Sequence, residues 1–144
     1  MVVVPDASVV LKWVLQREPE PDTPKAFQLL DAFLAEKIEI RMPTLWRYEV
    51  GNILGLRQPE IAPEIMSTLL NYEFAEEQLG RAYCLAVLNH MREVKGATFY
   101  DSAYHVLALK TLGQYVTADE EYIKRARWKG HIVLLADWRE PQAS

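Results

Sequence analysis

Cysteine is almost missing from this chain. Cys84 stands alone among 144 residues, which excludes an intrachain disulfide and any cysteine-based structural zinc site. Its neighbours Leu85, Ala86 and Leu88 favour a buried, inert thiol. Long apolar runs are missing too. The opening Val2-Val3-Val4 has no basic stretch before it and no cleavage site after it, and no segment approaches the roughly 20 apolar residues of a membrane span. A soluble protein of a reducing cytoplasm, with no membrane partner, is the expectation. There is no glycine-rich phosphate loop and no Gly-x-Ser-x-Gly elbow, which sets aside nucleoside triphosphatase and α/β-hydrolase chemistry. A positive balance of charge is also absent. With 16 Lys and Arg against 20 Asp and Glu, the formal charge is -4, so any nucleic acid must be gripped by local patches and metal ions rather than by a global field.

What is present fits one compact α/β domain, expected over residues 1–137 with a polar C-terminal tail at 138–144. Half of the residues are hydrophobic and a quarter charged, enough for a sizeable core and too short a chain for a second domain. The first eight residues set the pattern. Three β-branched valines suit a strand buried on both faces, as in a parallel sheet. Pro5 ends it, and Asp6 and Ser8 stand before Val9, Val10, Trp13 and Val14, whose spacing is that of an amphipathic helix. Asp6 therefore lies at a strand-to-helix junction, where open α/β sheets bind ligands.

An exposed turn is expected at 17–22, then a helix opened by Thr23-Pro24. The alternation Ile38, Ile40, Met42 predicts a strand ending at Pro43, with Thr44 as cap for a helix from Leu45 to about Leu56. A fourth helix begins near Pro63, and a short extended piece is expected at Tyr72 to Ala75. Leu79 to Val94 reads as a fifth helix and Phe99 to Leu112 as a sixth, capped by Thr98 and stopped by Gly113. Tyr115 to Thr117 predicts a strand, Glu120 to Lys129 a helix ended by Gly130, and Ile132 to Leu135 a last strand. The alternation implies a mainly parallel central sheet flanked by helices.

Four acids occupy one kind of position: Asp6 and Asp119 follow strands, and Glu49 and Asp101 lie in early helical turns. In a doubly wound sheet these places border one side. Taken singly, each has a plain structural reading as a helix cap, a dipole partner or a solvated charge. Taken together, clustered carboxylates need protons or a cation. Oxygen ligands alone, with the Ser8 and Thr117 hydroxyls beside them, select a hard ion such as Mg²⁺ or Mn²⁺ over zinc. Such an ion activates water against a phosphodiester.

Four stretches resemble the PIN-domain ribonucleases, and among them the VapC-type toxins of toxin-antitoxin pairs: Val3-Val4-Pro5-Asp6-Ala7-Ser8-Val9, Leu45-Trp46-Arg47-Tyr48-Glu49-Val50-Gly51-Asn52-Ile53-Leu54, Tyr100-Asp101-Ser102-Ala103-Tyr104 and Val116-Thr117-Ala118-Asp119. The resemblance covers essentially the whole chain. It implies a three-layer α/β/α fold and a Mg²⁺- or Mn²⁺-dependent RNase whose catalytic, metal-binding carboxylates are Asp6, Glu49, Asp101 and Asp119. Ser8 and Thr117 would support them, and Asn52, at i+3 from Glu49, would orient a carboxylate or a bound water. It also implies an RNA substrate, a homodimer and a small inhibitory antitoxin protein docked against early helices, here those carrying Phe27, Leu30, Trp46 and Ile53, residues that suit a core equally well.

Other residues are weighed against plainer readings. His90, His105 and His131 are too scattered for a zinc motif, and His105 is read as a surface or core residue. Lys12, Arg47, Lys124, Arg125, Arg127 and Lys129 are the cations nearest the acidic junctions and available to steer RNA, with ordinary solvated charge as the simpler reading. The four tryptophans are read as core or dimer contacts. Gly51, in mid-helix beside Glu49, suggests the close approach of a backbone or of substrate. Two rivals to the nuclease stand: a catalytically silent PIN-like interaction domain, and phosphoryl transfer through an Asp6 phosphate. The second is disfavoured because Asp6 is followed by Ala7-Ser8 rather than by a second acid two positions on.

Overall fold

The structure, a computed structural model, describes residues 1–15, 18 and 20–142. Five strands, β1 (Val2–Pro5), β2 (Glu39–Pro43), β3 (Ala75–Glu77), β4 (Gln114–Thr117) and β5 (Ile132–Leu134), lie in the order β3-β2-β1-β4-β5. Every pairing is parallel. The helices are α1 (Ala7–Val14), α2 (Thr23–Leu34), α3 (Trp46–Arg57), α4 (Ala62–Asn71), α5 (Arg81–Glu93), α6 (Phe99–Lys110) and α7 (Glu120–Ala126). The α/β class expected from the sequence is the one the chain adopts.

Parallel strands must be covered on both faces, and the sequence supplies the means. β1 buries Val3 and Val4 completely, β2 buries Ile40 and Met42, and β4 buries Tyr115 and Val116. α6, buried almost along its whole length from Ser102 to Ala108, packs across β1, β2 and β4 with α5 against it. α1 packs on β1 and β4, and α2 and α3 pack on α1. The result is three layers, α/β/α. One glycine is essential to the joint between them: a Cβ at Gly113 would lie 2.5 Å from the Val2 carbonyl oxygen, so only glycine lets β4 settle beside β1.

Several expected boundaries move for physical reasons. The third strand is Ala75–Glu77, not Tyr72 to Ala75, because Phe74 is drawn into an aromatic cluster with Trp13, Phe33, Trp46 and Tyr72. Its polar residues are tolerated because β3 is an edge strand and both glutamates find cations, Glu76 with Arg47 and Glu77 with Lys110. The helix expected to reach Lys129 tightens into a 3-10 turn at Arg127–Lys129 before Gly130. α3 starts at Trp46 with Leu45 in the capping position, and Thr44 supplies no side-chain cap. A Cβ added at Gly51 would meet Met66 Cε of α4 at 3.4 Å, so its nearest neighbour is a side chain rather than the backbone its position suggests. Trp138, the first residue of the expected tail, is fully buried, and its carbonyl accepts from Lys25 Nζ at 2.8 Å. Cys84 is half-buried, its Sγ donating to the Leu79 carbonyl at 3.3 Å. Arg17 and Pro19 of the expected turn, and the last two residues of the tail, lie outside the described residues. Among the described residues no helix is long and apolar enough to cross a membrane.

Candidate functional site

From β1 the strand order runs through β2 to β3 on one side and through β4 to β5 on the other, so β1 and β4 form the switch point of the sheet. In open α/β sheets ligands bind outside the carboxyl ends of the strands at such a point. Asp6 follows β1 and Asp119 follows β4. The Asp6 backbone N–H donates to the Val116 carbonyl at 2.9 Å, which ties the two strand ends together.

Asp6 occupies the capping position of α1 and yet makes no side-chain cap. Its Oδ2 instead accepts from Ser8 Oγ at 3.0 Å and from Thr117 Oγ1 at 3.1 Å. Thr117 Oγ1 in turn accepts from the Asp119 backbone N–H at 3.1 Å, so one hydroxyl links the two acids. Burial raises the proton affinity of Asp6 above that of an ordinary aspartate, against the pull of the two hydroxyls, and the Asp119 charge raises it further.

Glu49, in the first turn of α3, accepts from the Tyr104 hydroxyl at 2.8 Å. Burial pushes Glu49 up to about 7; the Tyr104 bond opposes this and the charges of Asp6 and Asp101 add to it. Asp101 lies in the first turn of α6, its N–H donating to the Thr98 cap at 3.1 Å. Burial, then Asp6 and Asp119, push it up to about 6. Asp119 caps α7, Oδ1 accepting from the Tyr122 N–H at 3.0 Å, so its plain structural reading is also true of one of its oxygens.

Asp6 and Asp101 act on the charge of Glu49, Asp6 and Asp119 on that of Asp101, and Asp119 on that of Asp6, which requires a shared neighbourhood. Among the described residues no ion pair neutralises any of them. Among the described residues, too, no three His, Cys, Asp or Glu side chains stand in ligating reach of a common point. Two carboxylates at about 4 Å repel by roughly 4 kcal/mol at an effective dielectric near 20, so closer convergence needs a cation between them. The donor chemistry suits one: all oxygen, with Asp6, Glu49 and Asp101 partly withdrawn from water and Asp119 exposed beside them. Among the described residues, two buried hydroxyls, Tyr115 Oη and Ser102 Oγ, have no hydrogen-bond partner, and burial, then the charges of Asp6 and Asp101, hold the Tyr115 proton on.

The structure therefore brings together Asp6, Glu49, Asp101 and Asp119 with Ser8 and Thr117. Asn52 does not join them. It is exposed and makes no hydrogen bond to Glu49, whose partner comes from another helix as Tyr104. That residue sits three positions after Asp101, a spacing that places both on one helical face, and this was the available signal. His105 is fully buried, bonded to the Tyr122 hydroxyl and the Gly130 carbonyl at 2.7 and 2.8 Å rather than to an acid. Five of the six cations are engaged elsewhere: Lys12 with Glu20 and Asp22, Arg47 with Glu76, Lys124 with Glu121, Lys129 with Glu93, and Arg125 with the Gly96 carbonyl; Arg127 is exposed. Trp46 and Trp138 are core, Trp13 is half-buried with Nε1 on the Ala26 carbonyl, and Trp128 is exposed. Of the early-helix residues, Leu30 and Trp46 belong to the core and Phe27 is exposed.

In comparisons with known proteins, no family model and no curated protein matches the chain. The functional reading rests on the geometry just described.

Proposed function

We propose that the chain is a Mg²⁺- or Mn²⁺-dependent endoribonuclease in which Asp6, Glu49, Asp101 and Asp119 hold one or two divalent ions at the β1–β4 switch point. The observation that carries this reading is the desolvated, unneutralised Asp6 carboxylate, fixed by two hydroxyls, close enough to Glu49 and Asp101 that its charge makes both harder to ionise, and linked through Thr117 to Asp119. When bound, such an ion lowers the pKa of water and offsets negative charge on the phosphate under attack.

The chain's own groups do the rest. Ser8 and Thr117 fix Oδ2 of Asp6, and Tyr104 fixes Oε1 of Glu49. That leaves Glu49 Oε2 free to face the ion or an attacking water. The resemblance in sequence extends the proposal to a cytoplasmic, homodimeric toxin restrained by a small antitoxin protein.

The test is cleavage of a mixed RNA substrate with Mn²⁺ present and absent. Metal-dependent cleavage, abolished by Asp6→Asn and by Asp101→Asn while the circular dichroism is kept, supports the assignment. Cleavage retained in both variants rejects it. Co-expression tests the toxin role: a neighbouring small reading frame whose product neither binds the chain nor relieves growth arrest counts against it.

A further inference from the structure

Beside the acids, at the carboxyl ends of β2 and β3, lies a groove of about 680 Å³ lined by Leu45, Arg47, Tyr48, Glu76 and Gln78 among others. The sheet order puts the strand ends β3, β2, β1 and β4 in a row, and neighbouring strands are about 4.8 Å apart. The groove is therefore centred about 10 Å from the acids, two strand spacings along the same rim. The two are also joined by α3, whose first turn carries Leu45, Arg47 and Tyr48 into the groove and Glu49 into the acid cluster.

Two features of this groove go beyond what the fold needs: the exposed ring of Tyr48 and the spare donors of Arg47, whose pair with Glu76 supports β3. α3 sends Trp46 and Val50 into the core, but Tyr48 is 77 % exposed, a large ring turned outward on the residue next to Glu49. Arg47 is fixed by a carboxylate that is itself fixed: Glu76 Oε2 accepts from the buried Trp46 Nε1 at 2.9 Å and from Arg47 Nε at 2.8 Å, while Oε1 accepts from Arg47 Nη2. Only two of the five guanidinium N–H groups are used. The remaining donors belong to a guanidinium anchored through Glu76, and the exposed Tyr48 ring and Gln78 amide line the same groove.

We infer that this groove is a subsite for one unpaired nucleotide adjoining the scissile phosphate, its base stacked on Tyr48 and its edge or phosphate held by Arg47 and Gln78. The inference takes its substrate class, single-stranded RNA, from the nuclease reading. An aromatic face accepts any base and requires it to be unpaired. Stacking also suits a chain of net charge -4 in which most of the cations near the site already have partners, because such a surface has little general attraction for phosphate. Duplex RNA cannot present a free base face to Tyr48, so the subsite selects loops, bulges or single strands.

The test is fluorescence anisotropy with short labelled RNA oligonucleotides, Ca²⁺ replacing Mn²⁺, on the full chain. Tyr48→Ala is expected to weaken single-strand binding by between about 5- and 150-fold, the range one stacked base carries, and Tyr48→Phe to keep it. One abasic position in the oligonucleotide should cost the wild type about the same factor and cost Tyr48→Ala nothing. Trp128→Ala, an exposed ring at the opposite end of the sheet, controls for general stickiness and should change nothing. Unchanged binding by Tyr48→Ala, an abasic penalty equal in both proteins, or duplex bound as tightly as single strand each overturns the subsite. So does Tyr48-dependent self-association with unaltered RNA affinity, which would assign the surface to protein contact. The two readings fail separately. Tyr48-dependent binding with no Mn²⁺-dependent cleavage leaves the subsite and removes the nuclease, and metal-dependent cleavage with binding indifferent to Tyr48 does the reverse.

Discussion

Tyr104 does for Glu49 what Ser8 and Thr117 do for Asp6: each supplies a hydroxyl that holds one carboxylate oxygen and leaves the other open. Groups that orient metal-binding carboxylates typically change metal affinity or activity by about 10- to 100-fold when removed. Tyr104→Phe is therefore expected to lower kcat/KM for RNA by that order. Because the Tyr104 bond holds the Glu49 proton affinity down, its loss should also move the acid limb of the pH profile to higher pH, a shift that a merely structural defect would not give. The raised carboxyls carry a stability signature as well. Glu49 binds its proton more tightly in the folded protein, at about 7, than the ordinary value of 4.5, so the metal-free fold loses stability as pH rises through that window. Glu49→Gln has no such proton to lose. Urea unfolding should show the variant gaining on the wild type between about pH 4.5 and pH 7, with the gap constant above and below.

At the scale of elements, the helices around the site are held by polar joints that differ in how local they are. Thr98 caps α6 and fixes the turn carrying Asp101; Thr98→Ala should cost about 1 kcal/mol of stability, read from denaturant midpoints. This cap, the buried strand β1 and the glycine stops are legible in the sequence because each is decided by residues a few positions apart. The joint between α5, α6 and α7 is not. His90 Nε2 and His105 Nδ1 both meet the Tyr122 hydroxyl, at 2.8 and 2.7 Å. Since His105 Nε2 donates to the Gly130 carbonyl, Tyr122 must donate to His105 and accept from His90. Tyr122→Phe strands two buried ring nitrogens, at about 1–3 kcal/mol each, and unfolding in urea would measure the loss. Burial pushes both histidines down to about 4. Their contribution is thus complete above pH 6.5 and lost as pH falls through 4, opposite in sign to that of Glu49. α3 shows the converse, a local weakness with no packing reason: a Cβ at Gly55 would meet nothing, and Gly55→Ala should stabilise the helix by up to about 1 kcal/mol.

For the whole molecule, the decisive fact is a topology in which residues 6, 49, 101 and 119 reach one rim because β1 and β4 are neighbours. The order of strands and helices was readable from apolar periodicity, and the type of acid at each junction from position alone. What the chain does with its charges was not. Arg47 pairs with Glu76, Lys110 with Glu77 and Lys129 with Glu93, partners 29 to 36 positions away that no local pattern announces. The same blindness to long-range contact made Asn52 a better sequence candidate than Tyr104 as the partner of Glu49, and misplaced β3, whose polar residues are paid for by those same ion pairs. The central claim is that the four carboxylates share a divalent cation. Anomalous diffraction from a crystal soaked in Mn²⁺ measures this directly. The account expects a peak bonded to Asp6 and to at least one of Glu49, Asp101 and Asp119, with the side chains drawn inward; the absence of any peak among them at millimolar Mn²⁺, with all four turned towards solvent, would contradict it.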